Sequence, residues 1–123
     1  MALITNESSE NYLETILILQ KKLPAVRSVD IANELGYKKS SVSVAMKNLR
    51  GKDHIRVTDQ GFIVLTESGR RIAETIYERH EKISEWLISL GVPEEIAIED
   101  ACRIEHVISP ESFAAIKEKV IKA

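Results

Sequence analysis

The sequence is poor in several residue types, and each shortage excludes a class of protein. A single cysteine cannot form a disulfide within the chain. No apolar run approaches the roughly 18 residues that a membrane-spanning helix needs, so we expect no membrane partner. The first ten residues, MALITNESSE, lack both a basic start and an apolar stretch, so we expect no secretion signal. These absences favour a reducing, cytoplasmic location.

Hydrophobic residues at 44% and charged residues at 29% are typical of a soluble globular protein. The net charge of −2 is unevenly distributed along the chain. Residues 21–71 carry eleven basic and five acidic side chains, a net charge of +6, whereas residues 1–20 carry −3 and residues 72–123 carry −5. A basic segment between two acidic ones predicts a surface that binds a polyanion, with a solvated basic surface as the alternative.

Hydrophobic periodicity predicts a mainly α protein. Two short helices that meet at Gly36, followed by a β-hairpin around Thr58-Asp-Gln-Gly61, are typical of a winged helix-turn-helix. Ser28 is the expected N-cap of the first short helix, and Thr66 that of a later long one. We expect a winged helix-turn-helix domain over residues 1–70 and a helical domain over 71–123. The predicted helices span residues 7–22, 28–35, 40–50, 66–90, 94–107 and 110–121.

The second short helix of such a motif enters the major groove of DNA. Lys38 and Lys39 lie where the helix dipole is positive, which disfavours lysine unless a phosphate binds there. Two solvated lysines are the alternative. Basic side chains would contact phosphates, serine hydroxyls would contact base edges or phosphates, and Val44 would contact a thymine methyl group. The predicted DNA-binding residues are Lys38, Lys39, Ser40, Ser41, Ser43, Val44, Lys47, Arg50, Arg56 and Gln60.

A second group of residues has the chemistry of metal ligands. Cys102, Glu105 and His106 are spaced i, i+3, i+4, which on a continuous helix places them on one face. His80 interrupts the apolar stripe of the long helix, and Glu14 lies on a polar face of the first helix. The five side chains could gather around one divalent transition metal. The alternatives are a buried cysteine beside a surface Glu-His pair, a hydrogen-bonded core histidine and a solvated polar face.

Five segments resemble the DtxR/MntR family of metal-dependent transcriptional regulators. The resemblance covers nearly the whole chain, and the last segment is the most specific. It implies a homodimeric repressor with an N-terminal winged helix and a helical metal-binding and dimerisation domain. It also implies binding to palindromic double-stranded operator DNA when Fe(II) or Mn(II) is bound. The segments are Ser9-Glu-Asn-Tyr-Leu-Glu-Thr-Ile16, residues 28–50, Leu65-Thr-Glu-Ser-Gly69, Arg79-His80 and Asp100-Ala-Cys-Arg-Ile-Glu-His-Val-Ile-Ser109.

The resemblance also implies ligand roles. His80, Glu105 and His106 match ligands of both the iron and the manganese members. Cys102 matches the iron members, and Glu14 matches the manganese members. Asn11 stands where the manganese members have aspartate, so its amide oxygen is a weaker candidate. Because a thiolate is softer than the carboxylate it replaces, we rank Fe(II) first and Mn(II) second, with Co(II), Ni(II) or Zn(II) as surrogates.

Other functions remain open from the residues alone. A winged-helix transcription factor could be controlled by a small organic effector, which predicts an aromatic pocket, or by no effector. An enzyme with Cys102 as nucleophile and His106 as base is disfavoured, because no third orienting group and no oxyanion loop are evident. We therefore expect no catalytic activity.

Overall fold

The computed structural model describes residues 2–122, and the side chains of residues 8–120. Within this range six helices and one antiparallel two-stranded sheet are formed, so the predicted mainly α winged-helix fold is confirmed. The second helix ends where predicted, whereas the first begins earlier than predicted. The elements are α1 (Ala2–Lys22), α2 (Ser28–Leu35), α3 (Lys39–Gly51), β1 (Ile55–Val57), β2 (Ile63–Leu65), α4 (Glu67–Ser89), α5 (Glu94–Ile104) and α6 (Pro110–Lys122).

The chain divides into two compact units by its internal contacts. The first unit, Ser8–Glu74, contains most of α1, then α2, α3, the hairpin and the first turns of α4. The second unit contains the residues from Thr75 onward together with those before Ser8. This division falls inside α4, and the domain boundary predicted after residue 70 remains a prediction.

The core of the first unit is formed by one apolar face of each helix. Leu13 and Ile16 of α1 are buried, as are Val42, Met46 and Leu49 of α3. The three α3 residues are spaced i, i+4 and i+7, which places them on one face of the helix. Burying each such side chain contributes roughly 1.5–3 kcal/mol. With this face turned into the core, the opposite face of α3 is left for solvent or a partner.

The two ends of α2 are set by local hydrogen bonds. Gly36 follows the helix with φ +70°, a left-handed conformation that glycine adopts without steric cost. At the other end, the predicted N-cap Ser28 is wrong, because Ser28 is already helical and Arg27 is the cap. The Asp30 carboxylate accepts a hydrogen bond from the Arg27 backbone N–H at 2.8 Å, which moves the cap back by one residue.

The wing is a short hairpin in which β1 and β2 pair over three residues, with Arg56 opposite Val64. Those two side chains are exposed, whereas Ile55, Ile63 and Leu65 on the other face are buried. The alternation follows the two-residue period of a strand. The sequence predicts strands over His54–Val57 and Phe62–Leu65, and each observed strand begins one residue later.

The start of α4 is fastened to the turn before β1. Thr66 Oγ1 and Ser68 Oγ both donate to the carbonyl oxygen of Asp53, at 2.7 and 3.1 Å. Thr66 Oγ1 also accepts the Gly69 N–H at 3.2 Å, so Thr66 caps α4 as predicted. A Cβ atom on Gly69 would overlap the carbonyl oxygen of His54, so the close approach of these two backbone segments requires glycine.

The second unit packs α4, α5 and α6 around a small core. Ile83, Ala101 and Phe113, one from each helix, are buried together. Lys117 Nζ of α6 donates to Glu78 Oε2 of α4 at 3.0 Å. Among the described residues, no helix has both the length and the apolar character needed to cross a membrane.

Candidate metal centre and nucleic-acid interface

The candidate metal centre is built around the carboxylate of Glu105, whose side chain has 0% exposure. Its Oε2 atom lies 2.9 Å from His80 Nδ1, and its Oε1 atom lies 3.3 Å from His106 Nε2. His106 is buried, and His80 exposes 25% of its side chain. These three predicted ligands, one carboxylate and two imidazoles, are therefore brought together within the second unit.

The end of α5 explains where two of these ligands lie. The helix ends at Ile104, three residues before the predicted end at Val107. The Glu105 N–H still donates to the Ala101 carbonyl at 2.9 Å, but the Val107 N–H donates to the Ile104 carbonyl at 3.0 Å. This three-residue spacing tightens the chain. Glu105 and His106 consequently lie in the turn that leads to α6.

Cys102 lies in a different environment from the two ligands that follow it. Its side chain is exposed on α5, whereas Glu105 and His106 are buried. The prediction of a helix that continues through all three residues is wrong, because α5 ends before the last two. Ligation by Cys102 remains a prediction.

The two candidates on α1 belong to the first unit. Glu14 is a buried carboxylate with 6% exposure. Asn11 is half-buried, and its backbone carbonyl accepts the Thr15 hydroxyl at 2.8 Å. Burial of a carboxylate is costly unless it is paired or hydrogen-bonded. Ligation by either residue remains a prediction.

The donor atoms around Glu105 fit a divalent transition metal. Imidazole nitrogen and carboxylate oxygen are ligands for manganese, iron, cobalt, nickel and zinc. A buried carboxylate is stabilised by a nearby positive charge, which a metal ion held by Glu105 and the two histidines would supply.

Arg79 is a residue of the site that the sequence pattern does not reveal. Its Nη1 atom donates to the carbonyl oxygens of Glu105 and Ile108, each at 3.2 Å. In the sequence it appears only as part of the Arg79-His80 segment that carries the resemblance, which gives Arg79 no role of its own. Its acceptors are main-chain atoms 26 and 29 residues away, so side-chain spacing carries no signal for these bonds.

The residues predicted to contact DNA are all exposed, and Val44 exposes 61% of its surface. No side chain caps the first turn of α3, where Lys38 is the N-cap. The first N–H groups of a helix and its positive dipole end bind phosphate readily, and two lysines stand at this end. This surface lies within the first unit and comprises Lys38, Lys39, Ser40, Ser41, Ser43, Val44, Lys47, Arg50, Arg56 and Gln60.

Comparison with known families matches both units. Residues 5–60 match the family described as "Iron dependent repressor, N-terminal DNA binding domain". Residues 66–122 match "Iron dependent repressor, metal binding and dimerisation domain". The chain belongs to the iron-dependent repressor family. The resemblance to DtxR/MntR regulators is thereby confirmed, and members of this family are metal-dependent transcriptional regulators.

Curated relatives support the same assignment. The transcriptional regulator MntR of Escherichia coli O157:H7 is 32% identical over 111 residues, covering 90% of this chain and 72% of the relative. MntR of Bacillus subtilis is 32% identical over 117 residues, covering 95% and 82%. An uncharacterised helix-turn-helix regulator of Methanocaldococcus jannaschii is 32% identical over 114 residues, covering 91% of each chain.

Solved structures match as well. A manganese-dependent transcriptional repressor in complex with manganese gives a TM-score of 0.84 at 26% identity, covering 94% of this chain and 53% of that one. IdeR of Thermoplasma acidophilum gives a TM-score of 0.74 at 31% identity, covering 89% and 52%. The chain spans about half the length of these two proteins. The expectation of a divalent metal is supported, whereas the ranking of Fe(II) first is not confirmed, because these comparisons favour manganese.

Proposed function

We propose that this protein is a homodimeric repressor that binds operator DNA when a divalent transition metal is bound at Glu105. The observation that carries the proposal is the buried Glu105 carboxylate between the imidazoles of His80 and His106. The same chain forms a winged helix-turn-helix in which one face of α3 is exposed and two lysines stand at the start of that helix. As a regulator of transcription, it would act in the cytoplasm.

Mn(II) is the first candidate for the metal, and Fe(II) is the second. This order reverses the ranking based on Cys102, for two reasons. The ligands gathered at Glu105 are nitrogen and oxygen donors, and Cys102 is exposed on α5. The names of several relatives also refer to manganese. A thiolate ligand would shift the preference towards Fe(II), Co(II), Ni(II) or Zn(II).

The proposed ligand set is His80, Glu105 and His106, with Glu14 as a fourth member and Cys102 and Asn11 as further candidates. Glu14 is included because the resemblance to the manganese members implies a ligand at this position and its carboxylate is buried. Its helix, α1, contributes to the core of the first unit.

The metal would supply a positive charge beside the buried Glu105 carboxylate. The residues of the first unit would contact the DNA. Lys38, Lys39, Lys47 and Arg50 would hold phosphates, and the exposed face of α3 around Val44 would contact base edges. In a homodimer, two α3 helices would read the half-sites of a palindromic operator about 34–36 Å apart.

The test is DNA binding with and without metal. Duplexes selected from a random library in the presence of Mn²⁺ provide the probe, and fluorescence anisotropy gives the Kd. We expect tight DNA binding with Mn²⁺ and release of the DNA by a chelator. In His106→Ala, we expect Mn²⁺ no longer to increase the affinity for DNA. Circular dichroism without metal checks that the variant is folded. Equal affinity with Mn²⁺ and with chelator would overturn the proposal.

A further inference from the structure

The two ligands after α5 depend on a short turn for their position. The last carbonyl groups of a helix have no partner within the helix, so a turn at this place needs other donors. Two carbonyls of the turn, those of Glu105 and Ile108, accept hydrogen bonds from one side chain, Arg79 of α4. The distances from Nη1 are 3.2 Å in both cases. A cation is also favourable beside the negative end of a helix dipole.

The guanidinium of Arg79 is itself held in place. Its Cζ atom lies 5.7 Å from the centroid of the Phe113 ring, which belongs to the core of the second unit. Its Nε atom is buried, and among the described residues no hydrogen-bond partner reaches it. An unsatisfied buried donor lowers stability. The presence of arginine is therefore better explained by what Nη1 does at the turn than by a gain in stability alone.

Arg79 and its neighbour on α4 hold Glu105 in two ways. His80 Nδ1 approaches the carboxylate, at 2.9 Å from Oε2, while Arg79 Nη1 donates to the backbone carbonyl of the same residue. We infer that Arg79 is a positioning residue for the metal ligands: it fixes the main chain from Glu105 to Ile108 so that the Glu105 and His106 side chains stay directed at one point. The inference rests on the proposed metal-binding function and adds a residue that does not itself ligate.

A purely structural role for Arg79 is the alternative, and the two roles differ in what they predict. A structural residue lowers the melting temperature without changing how the folded protein binds metal. A positioning residue changes the affinity and the coordination of the metal in protein that is still folded. Outer-sphere partners of metal ligands typically contribute about 10-fold to 100-fold in metal affinity.

The experiment compares Arg79→Met, which keeps length and removes the donors, with Arg79→Lys, which keeps the charge. Arg103→Met is the matched control, because Arg103 lies on α5 and pairs with Glu99 at an exposed site. Titration of the full chain with Mn²⁺, well below the unfolding temperature, gives the Kd. The visible absorption of the Co²⁺ complex reports the coordination geometry.

We expect Arg79→Met to weaken Mn²⁺ binding by about 10-fold or more and to alter the Co²⁺ spectrum, with Arg79→Lys in between and Arg103→Met unchanged. If Arg79→Met does not fold, Arg79→Lys carries the test. A wild-type Kd and a wild-type Co²⁺ spectrum in the folded Arg79 variants would overturn the inference and leave the proposed function intact. Absence of saturable Mn²⁺ and Co²⁺ binding in the wild type would instead overturn both.

Discussion

Replacing Glu105 by glutamine changes the candidate metal centre with little change in shape. The carboxylate has 0% exposure and lies within 2.9 and 3.3 Å of two imidazoles. Glutamine keeps the size of the side chain and one acceptor oxygen but removes the negative charge. Because ligating carboxylates must be ionised, the substitution acts on metal binding more than on packing. We expect Glu105→Gln to remain folded and to lose most of the stabilisation that metal gives.

The size of the effect follows from linkage. A metal that binds only the folded state stabilises it by about 2.7 kcal/mol when its free concentration is 100 times Kd. For a chain of 123 residues, each kcal/mol raises the melting temperature by about 3 to 6 °C, so the wild type should gain about 8 to 16 °C. If the variant binds about 100-fold more weakly, the same metal concentration adds only about 0.4 kcal/mol, or about 1 to 2 °C.

The assay is thermal unfolding by circular dichroism, with and without Mn²⁺, at one fixed protein concentration because dimers unfold in a concentration-dependent way. The matched control is Glu99→Gln, whose side chain is 65% exposed and pairs with Arg103 on the surface of α5. Mn²⁺ should raise the melting temperature of Glu99→Gln as much as that of the wild type. If Mn²⁺ raised the melting temperature of Glu105→Gln as much as that of the wild type, the assignment of Glu105 as a ligand would be refuted.

Three further predictions test other parts of the molecule. Gly69→Ala should destabilise the first unit by about 1–3 kcal/mol, because the added Cβ atom would overlap the carbonyl oxygen of His54. The control is Gly51→Ala, whose Cβ atom would meet no other atom and which should not destabilise the protein. Unfolding in urea compares the two variants, and equal midpoints would contradict the close approach of Gly69 to His54. Lys47→Ala should weaken binding to every DNA sequence and lower by about 1 the slope of log binding constant against log salt concentration. The control Lys119→Ala should change neither quantity. An unchanged slope in Lys47→Ala would show that Lys47 does not contact a phosphate. Cys102→Glu should move the metal response of DNA binding towards Mn²⁺, and an unchanged ranking of metals would show that Cys102 is not a ligand.

The helix-turn-helix was predictable because its determinants are local. Gly36 ends α2 in a left-handed conformation that glycine favours, and the stripe from Val42 to Leu49 has the helical period of a single buried face. The error at Ser28 is of the same local kind. A serine is a good cap in general, but the reach of Asp30 to the Arg27 N–H decides this helix.

The metal centre was predictable only in part, because its geometry depends on long-range contacts. The residue types and spacing indicated His80, Glu105 and His106 as a group, and the structure brings them together. The end of α5 at Ile104 was not predictable, since the residues after it continue the helical pattern. There Arg79, 26 residues from Glu105 in the chain, supplies hydrogen bonds to the turn.

The most direct test of the central claim is the coupling between metal and DNA. It is obtained from the Kd for a selected duplex with and without saturating Mn²⁺, and from the Kd for Mn²⁺ with and without that duplex. We expect both affinities to increase by the same factor, about 5-fold to 150-fold or more, since linkage is reciprocal. A factor of one in both titrations, with the metal-free protein holding the duplex as tightly as the metal-bound protein, would contradict it.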